Sequence, residues 1–171
     1  VLGGYAETRV MSTDKVVKLP DGITDEIAAA MMLKGLTAHY LLFRTYKVQP
    51  GDNILVYAAA GGVGLILCQW AKKLGATVIG CVGDEEKAAL AQANGCDYPI
   101  LYRDENSPAR VRELTNGEGV AVAYDSIGKA TFMDSLNSLK PFGTLATYGN
   151  ASGKVEPFDP GILAPKGSLY V

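Results

Sequence analysis

Residues 54–64 run Ile-Leu-Val-Tyr-Ala-Ala-Ala-Gly-Gly-Val-Gly, an apolar strand that passes straight into a glycine-rich turn. A helical stretch from Leu65 to Leu74 follows, and then a second apolar strand at Thr77–Val82. Few architectures accept this order. In a parallel α/β sheet it is the place where a dinucleotide pyrophosphate rests, because the turn's N–H groups and the positive end of the helix dipole face the phosphate. The motif is a variant: Ala59 stands where the first glycine of G-x-G-x-x-G is expected, and Gly61 and Gly64 fill the other two places. Glycine spacing alone is weak evidence, and its position between a strand and a helix is the context that strengthens it. A tight strand-to-helix turn with no ligand remains the alternative reading.

Strand and helix patterns alternate through the rest of the chain, the signature of the α/β class, and 171 residues suit one domain with a sizeable core. Acidic and basic residues are mixed throughout, with a net charge of −2, so no basic surface invites nucleic acid or anionic lipid. Apolar runs are broken well before the roughly 20 residues that a membrane span requires. Cys68, Cys81 and Cys96 lack C-x-x-C spacing, and His39 is the only histidine. That pattern argues against a disulfide framework or a Cys/His metal site and gives the expectation of a cytoplasmic protein. The chain begins with Val1 and shows no signal peptide.

Along the chain, Tyr5–Val10 and Lys15–Leu19 read as short strands, and Pro20-Asp21-Gly22 as a turn. Thr24 or Asp25 can cap a helix that continues over Ala28–Leu42, with a break expected at Gly35. After a loop at Gln49–Asp52 the expected units are strand 54–58, helix 64–74, strand 77–82, helix 85–94 and a strand near 98–102. Helix 108–115, strand 120–124, helix 129–139 and strand 143–148 complete the series, with Gly75 and Gly95 placed to end helices. A loop at Gly149–Pro165 leads to Ser168–Val171, which reads as the start of a further strand. A chain that opens in mid-pattern and stops in a strand is expected to be one domain of a longer enzyme.

Several stretches together resemble the zinc-free medium-chain dehydrogenase/reductases, in the NADPH:quinone oxidoreductase branch that includes the zeta-crystallins. They are residues 28–40 (AAAMMLKGLTAHY), 58–64 (AAAGGVG), 69–72 (QWAK), 124–128 (YDSIG), 148–153 (YGNASG) and 166–170 (KGSLY). The resemblance implies a Rossmann-type doubly wound parallel sheet flanked by helices. It assigns residues 21–171 to a dinucleotide-binding domain and residues 1–20 to a remnant of a GroES-like catalytic domain. Zinc-bearing relatives place a cysteine ligand four residues before the threonine that matches Thr37; here that position is Leu33, whose side chain has no atom to coordinate zinc.

Gly61, Gly62 and Val63 are the candidates for the pyrophosphate, since absent or small side chains allow close backbone approach. The usual ribose-binding acid position falls on Val82, which favours NADPH. By resemblance, Gly83, Lys87 and Tyr102 match the residues that hold the 2′-phosphate. Asp84, beside them, would repel a phosphate or bind a ribose hydroxyl, and so keeps NADH open; its other reading is a helix cap. The resemblance also places Thr37 on the nicotinamide phosphate side and Asn150 beside the cofactor, while Ser126 sits at the carboxyl end of the fourth strand, where ligands bind. His39, Tyr46, Trp70 and Cys68 read as packing residues, and no catalytic residue is identified.

The function implied is transfer of reducing equivalents from NADPH to a quinone without zinc, with little or no turnover from this chain alone. An enoyl-thioester or enone reductase on the same scaffold, and a non-catalytic crystallin-like nucleotide binder, are the alternatives. The expected partners are a small quinone and a second copy of the chain, paired through the edge strand at Ser168–Val171.

Overall fold

The structure, a computed structural model, describes residues 4–171, so the first three residues of the expected 1–20 remnant lie outside the described residues. The chain divides into two compact units, one ending at Met32 and the other running Leu33–Val171.

In the first unit the expected strands at Tyr5–Val10 and Lys15–Leu19 do not form. Among the described residues before Asp25 the only regular element is a 3₁₀ turn at Thr13–Lys15. A strand needs a ladder partner, and these segments are exposed along almost their whole length. Helix α1 (Asp25–Tyr40) is capped by Thr24, whose Oγ1 accepts the Ile27 N–H at 3.3 Å. It runs unbroken through Gly35, contrary to the sequence expectation, and passes into a π-helical segment at Leu41–Thr45. One glycine costs a helix only about 1 kcal/mol, and the Ala-Ala-Ala-Met-Met-Leu-Lys run before it outweighs that.

The second unit carries the sheet. Its elements are β1 (Asn53–Tyr57), α2 (Gly62–Lys73), β2 (Thr77–Val82), α3 (Glu85–Ala93), β3 (Tyr98–Leu101), α4 (Ser107–Leu114), β4 (Val120–Asp125), α5 (Phe132–Ser138) and β5 (Leu139–Thr147). The strands lie in the order β3-β2-β1-β4-β5, and every named pairing is parallel. Alternation along β1 divides the core. Ile54 and Val56 face one side with Leu41, Leu67 and Tyr124, whereas Leu55 and Tyr57 face the other with Val111, Leu136 and Leu145. With both faces covered, the strands read as continuous apolar runs rather than alternating ones. The architecture is the α/β doubly wound sheet that the sequence implies.

Two boundaries differ from expectation for local reasons. Helix α5 begins at Phe132 because the buried Asp125 carboxylate gathers the preceding loop: it accepts from the N–H of Ile127 (2.7 Å) and of Gly128 (3.1 Å), and from the Thr131 and Ser135 hydroxyls. Strand β5 starts early, at Leu139, with an irregularity against β4 and a left-handed Phe142 at φ 58°. The expected final strand reduces to a single parallel bridge between Tyr170 and Thr144. No helix among the described residues is long and apolar enough to cross a membrane.

Strand order reverses between β1 and β4. The crevice outside their carboxyl ends is where sheets of this kind bind ligands.

Candidate functional site

The turn after β1 is built around backbone approach. Ala58 takes a left-handed conformation (φ 51°), and the Gly61 N–H closes the turn on its carbonyl at 2.8 Å. A Cβ on Gly64 would lie 2.2 Å from the Ala58 oxygen and 2.7 Å from the Ala59 oxygen, both backbone, so only glycine fits there. Gly61 is nearly as confined, at 3.0 Å from the Ala58 oxygen. Ala59 replaces the first glycine of the motif because β2 makes room for it: a Cβ on Gly80 would come within 2.7 Å of the Ala59 methyl. Helix α2 opens at Gly62 with Gly61 as its cap, which supplies no side-chain acceptor. Its first-turn N–H groups therefore lack intrahelical partners and suit an anion. The Lys34 side chain crosses Gly62, its Nζ 3.2 Å from where a Cβ would stand, and brings a cation to this end of the site.

A cavity of about 660 Å³ opens from this turn across the carboxyl ends of β1, β2 and β4. Gly61 lines one corner, and Gly83, Lys87 and Tyr102 line a second. Gly83 leaves space for tyrosine: a Cβ there would meet the Tyr102 hydroxyl at 3.2 Å. Asp84 caps α3 by accepting the Lys87 N–H at 2.9 Å, and its other oxygen pairs with the Lys87 ammonium at 2.6 Å. The bond from Lys87 holds the Asp84 carboxyl below the ordinary carboxylate range, and the same bond raises the Lys87 amine. Arg103 places its guanidinium carbon 5.9 Å from the Tyr102 ring centroid and adds a second cation beside this corner.

The third corner is formed by the loop after β4 and by α4 and α5, with Tyr57, Ser107, Ile127, Ala130 and Asp134 among its residues. Burial raises the Asp134 carboxyl and pushes the Cys81 thiol up to about 12, so that thiol stays protonated against Ser107 (3.8 Å).

The structure thus brings Gly61, Gly83, Lys87 and Tyr102 around one cavity, with Gly62 adjoining at the helix start. Val63 turns its side chain toward the core. Thr37 lies on α1, where its hydroxyl donates to the Leu33 carbonyl at 2.8 Å. Ser126 and Asn150 sit on neighbouring loops after β4 and β5, held together by the close packing of Gly149 on Ser126 and of Gly128 on Asn150; neither lines the cavity. His39 packs between Phe43 and Trp70, with centroids at 5.1 and 5.8 Å. Sequence reading missed Lys34 and Arg103. Lys34 stands next to Gly35, inside the stretch that carries the family resemblance, and Arg103 next to Tyr102, but no binding motif marks either as a ligand contact.

This geometry agrees with what comparison with known proteins finds. The zinc-binding dehydrogenase family profile matches residues 62–169. A quinone oxidoreductase of Pseudomonas aeruginosa is 54% identical over 170 residues, covering 99% of this chain and 52% of that protein. A 2-haloacrylate reductase of a Burkholderia species is 47% identical over 176 residues, again covering 99% of this chain and 52% of that protein. The crystal structure of Escherichia coli quinone oxidoreductase complexed with NADPH superposes with a TM-score of 0.89 at 50% identity, covering 92% of this chain and 48% of that one. The chain therefore spans about half the length of the curated relatives it matches, 52% in both cases. It belongs to the zinc-binding dehydrogenase family, on the branch that the quinone oxidoreductases occupy.

Proposed function

We propose that this chain is the nucleotide-binding part of a quinone oxidoreductase that uses NADPH. The observation that carries the reading is a single cavity lined both by Gly61, at the start of α2 with no side-chain cap, and by Gly83, Lys87 and Tyr102. The helix start suits a pyrophosphate and the other three residues a 2′-phosphate, for which Lys87 is a point charge and Tyr102 a hydroxyl donor. The Escherichia coli relative, which was solved with NADPH, supports the choice of cofactor. The residues present fit the group: Gly64 and Gly61 let the turn fold tightly on its own carbonyls, and Gly61 opens onto the cavity beside the uncapped start of α2.

The nicotinamide supplies the hydride when bound. The residues of this chain bind and orient the nucleotide, with Gly61, Gly62 and Val63 assigned to the pyrophosphate, Thr37 to the nicotinamide phosphate side, and Ser126 and Asn150 to positions beside the cofactor. The quinone is contacted mainly by the half of the relatives that lies outside the match. Zinc has no part in this reading, in line with Leu33 at the position of the zinc ligand. Residues 1–20 belong with a catalytic domain and 21–171 with the nucleotide domain of a cytoplasmic homodimer. The 2-haloacrylate reductase relative favours a second substrate class, an activated carbon–carbon double bond.

Calorimetric titration with NADPH and NADH at low and moderate salt tests the cofactor. NADPH is expected to bind about tenfold or more tightly, the worth of a charge-assisted hydrogen bond or two, with an advantage that shrinks as salt rises. Equal affinity for both, or tighter NADH, overturns the 2′-phosphate assignment. Turnover of benzoquinone against a 2-haloacrylate by the whole protein separates the two substrate classes.

A further inference from the structure

The residues assigned to the 2′-phosphate are short of usable positive charge. Lys87 lines the cavity, but its ammonium is bound to Asp84 at 2.6 Å, so the two charges cancel. Glu85 and Glu86 follow in the first turn of α3 and add negative charge. A phosphate that met these groups alone would be repelled, since like charges at close range oppose one another even beside water. The cation left here is Arg103. It is exposed, and none of the six ion pairs among the described residues uses it.

Strand register brings it there. Val82 and Leu101 are paired across β2 and β3, and the pairing runs on past the strand ends, where the Tyr102 N–H donates to the Val82 carbonyl at 3.2 Å. Tyr102 then lies against Gly83, where a Cβ would meet its hydroxyl at 3.2 Å, and the next residues of the two turns are Arg103 and Asp84. Both members of the ion pair feel the charge of Arg103. After the bond from Lys87, it helps to hold the Asp84 carboxyl down, and it opposes the rise that Asp84 gives the Lys87 amine. Its guanidinium carbon stands 5.9 Å from the Tyr102 ring centroid. A guanidinium is a planar fork of donors that matches phosphate oxygens in pairs, which a lysine shared with a carboxylate cannot do. We propose that Arg103 is the specificity-determining cation of this chain, taking the 2′-phosphate of NADPH together with the Tyr102 hydroxyl while Lys87 stays paired with Asp84. This assignment rests on the nucleotide reading above.

The test is Arg103→Gln, Arg103→Lys and Lys87→Gln in the whole protein, each titrated calorimetrically with NADPH and NADH and melted without ligand. Arg103→Gln is expected to weaken NADPH about tenfold, the worth of a charge-assisted hydrogen bond, and to leave NADH within about twofold. Arg103→Lys should recover part of the loss, and Lys87→Gln should cost less than Arg103→Gln. The unliganded melting temperature should stay level in both Arg103 variants, because the side chain is exposed and outside the ion pairs. Unchanged NADPH affinity in Arg103→Gln overturns the proposal, as does a larger loss from Lys87→Gln. Equal weakening of NADPH and NADH also overturns it, since the guanidinium would then hold a part that both nucleotides share. If the unmodified protein binds NADPH no more tightly than NADH, the nucleotide reading itself fails and this proposal falls with it.

Discussion

At the scale of single residues, cofactor choice turns on one short ion pair. Lys87 lines the cavity where the 2′-phosphate is assigned, but Asp84 holds its ammonium at 2.6 Å. A phosphate must compete for that lysine and must also approach a carboxylate. Because hydrogen bonding to Lys87 depresses the Asp84 pKa, the pair is fully present above the unfolded carboxylate value of about 3.9 and is lost only as pH falls through the lower folded one. The pair therefore persists across neutral pH, and substitution is the way to remove it. Asp84→Ser keeps a side-chain oxygen to cap α3 and frees Lys87; it is expected to raise NADPH affinity about threefold to tenfold and leave NADH unchanged. Titration of both nucleotides against the variant decides it, and a gain for NADH would show that the carboxylate repels some other part of the ligand. Sequence alone marked Gly83, Lys87 and Tyr102 and noted that Asp84 could cap a helix, but whether Lys87 stood free depended on rotamers.

At the scale of elements, the fourth and fifth helices are joined by one side chain. Arg112 on α4 donates through Nη1 to the carbonyls of Gly117 (3.1 Å) and Glu118 (2.7 Å), and through Nη2 to those of Asn137 (3.0 Å) and Leu139 (2.8 Å). It ties the turn after α4 to the end of α5 and the start of β5, and only the planar fork of arginine reaches four acceptors at once. Arg112→Met is expected to cost about 2 kcal/mol in denaturant unfolding while nucleotide affinity stays within about twofold. A parallel loss of affinity would mean that the tie at the ends of α4 and α5 also shapes the cavity wall that Ser107 and Asp134 form near their starts. Strand and helix identities in this half were legible because apolar runs and glycine stops recur at regular intervals. The starts of α5 and β5 were not: the first depends on donors gathered by Asp125, and the second on Phe142 holding a left-handed backbone. Tyr5–Val10 has strand composition, but composition cannot supply a ladder partner.

At the scale of the whole molecule, strand order puts β5 at one edge of the sheet, only partly covered by the Tyr170 bridge. Phe142 and Tyr170 stand there 67% and 59% exposed, with Val171 beside them at 55%, an unusual amount of apolar surface for an open edge. Phe142 also holds φ 58°, a strained conformation for a bulky side chain that persists only where something is gained from it. Pairing of two copies edge to edge would cover both aromatic side chains and give them that use. A stable pair needs roughly 1,600 Å² of buried surface. Sedimentation at micromolar concentration is therefore expected to give about twice the 18.0 kDa chain mass. Phe142→Asn with Tyr170→Asp should return it to a single chain, since asparagine tolerates the left-handed backbone and a pair of aspartates repels across a twofold axis. Nucleotide affinity should not change, because the edge and the cavity share no lining residue. A monomer from the unsubstituted chain, or a dimer that survives both changes, would remove the edge from the account.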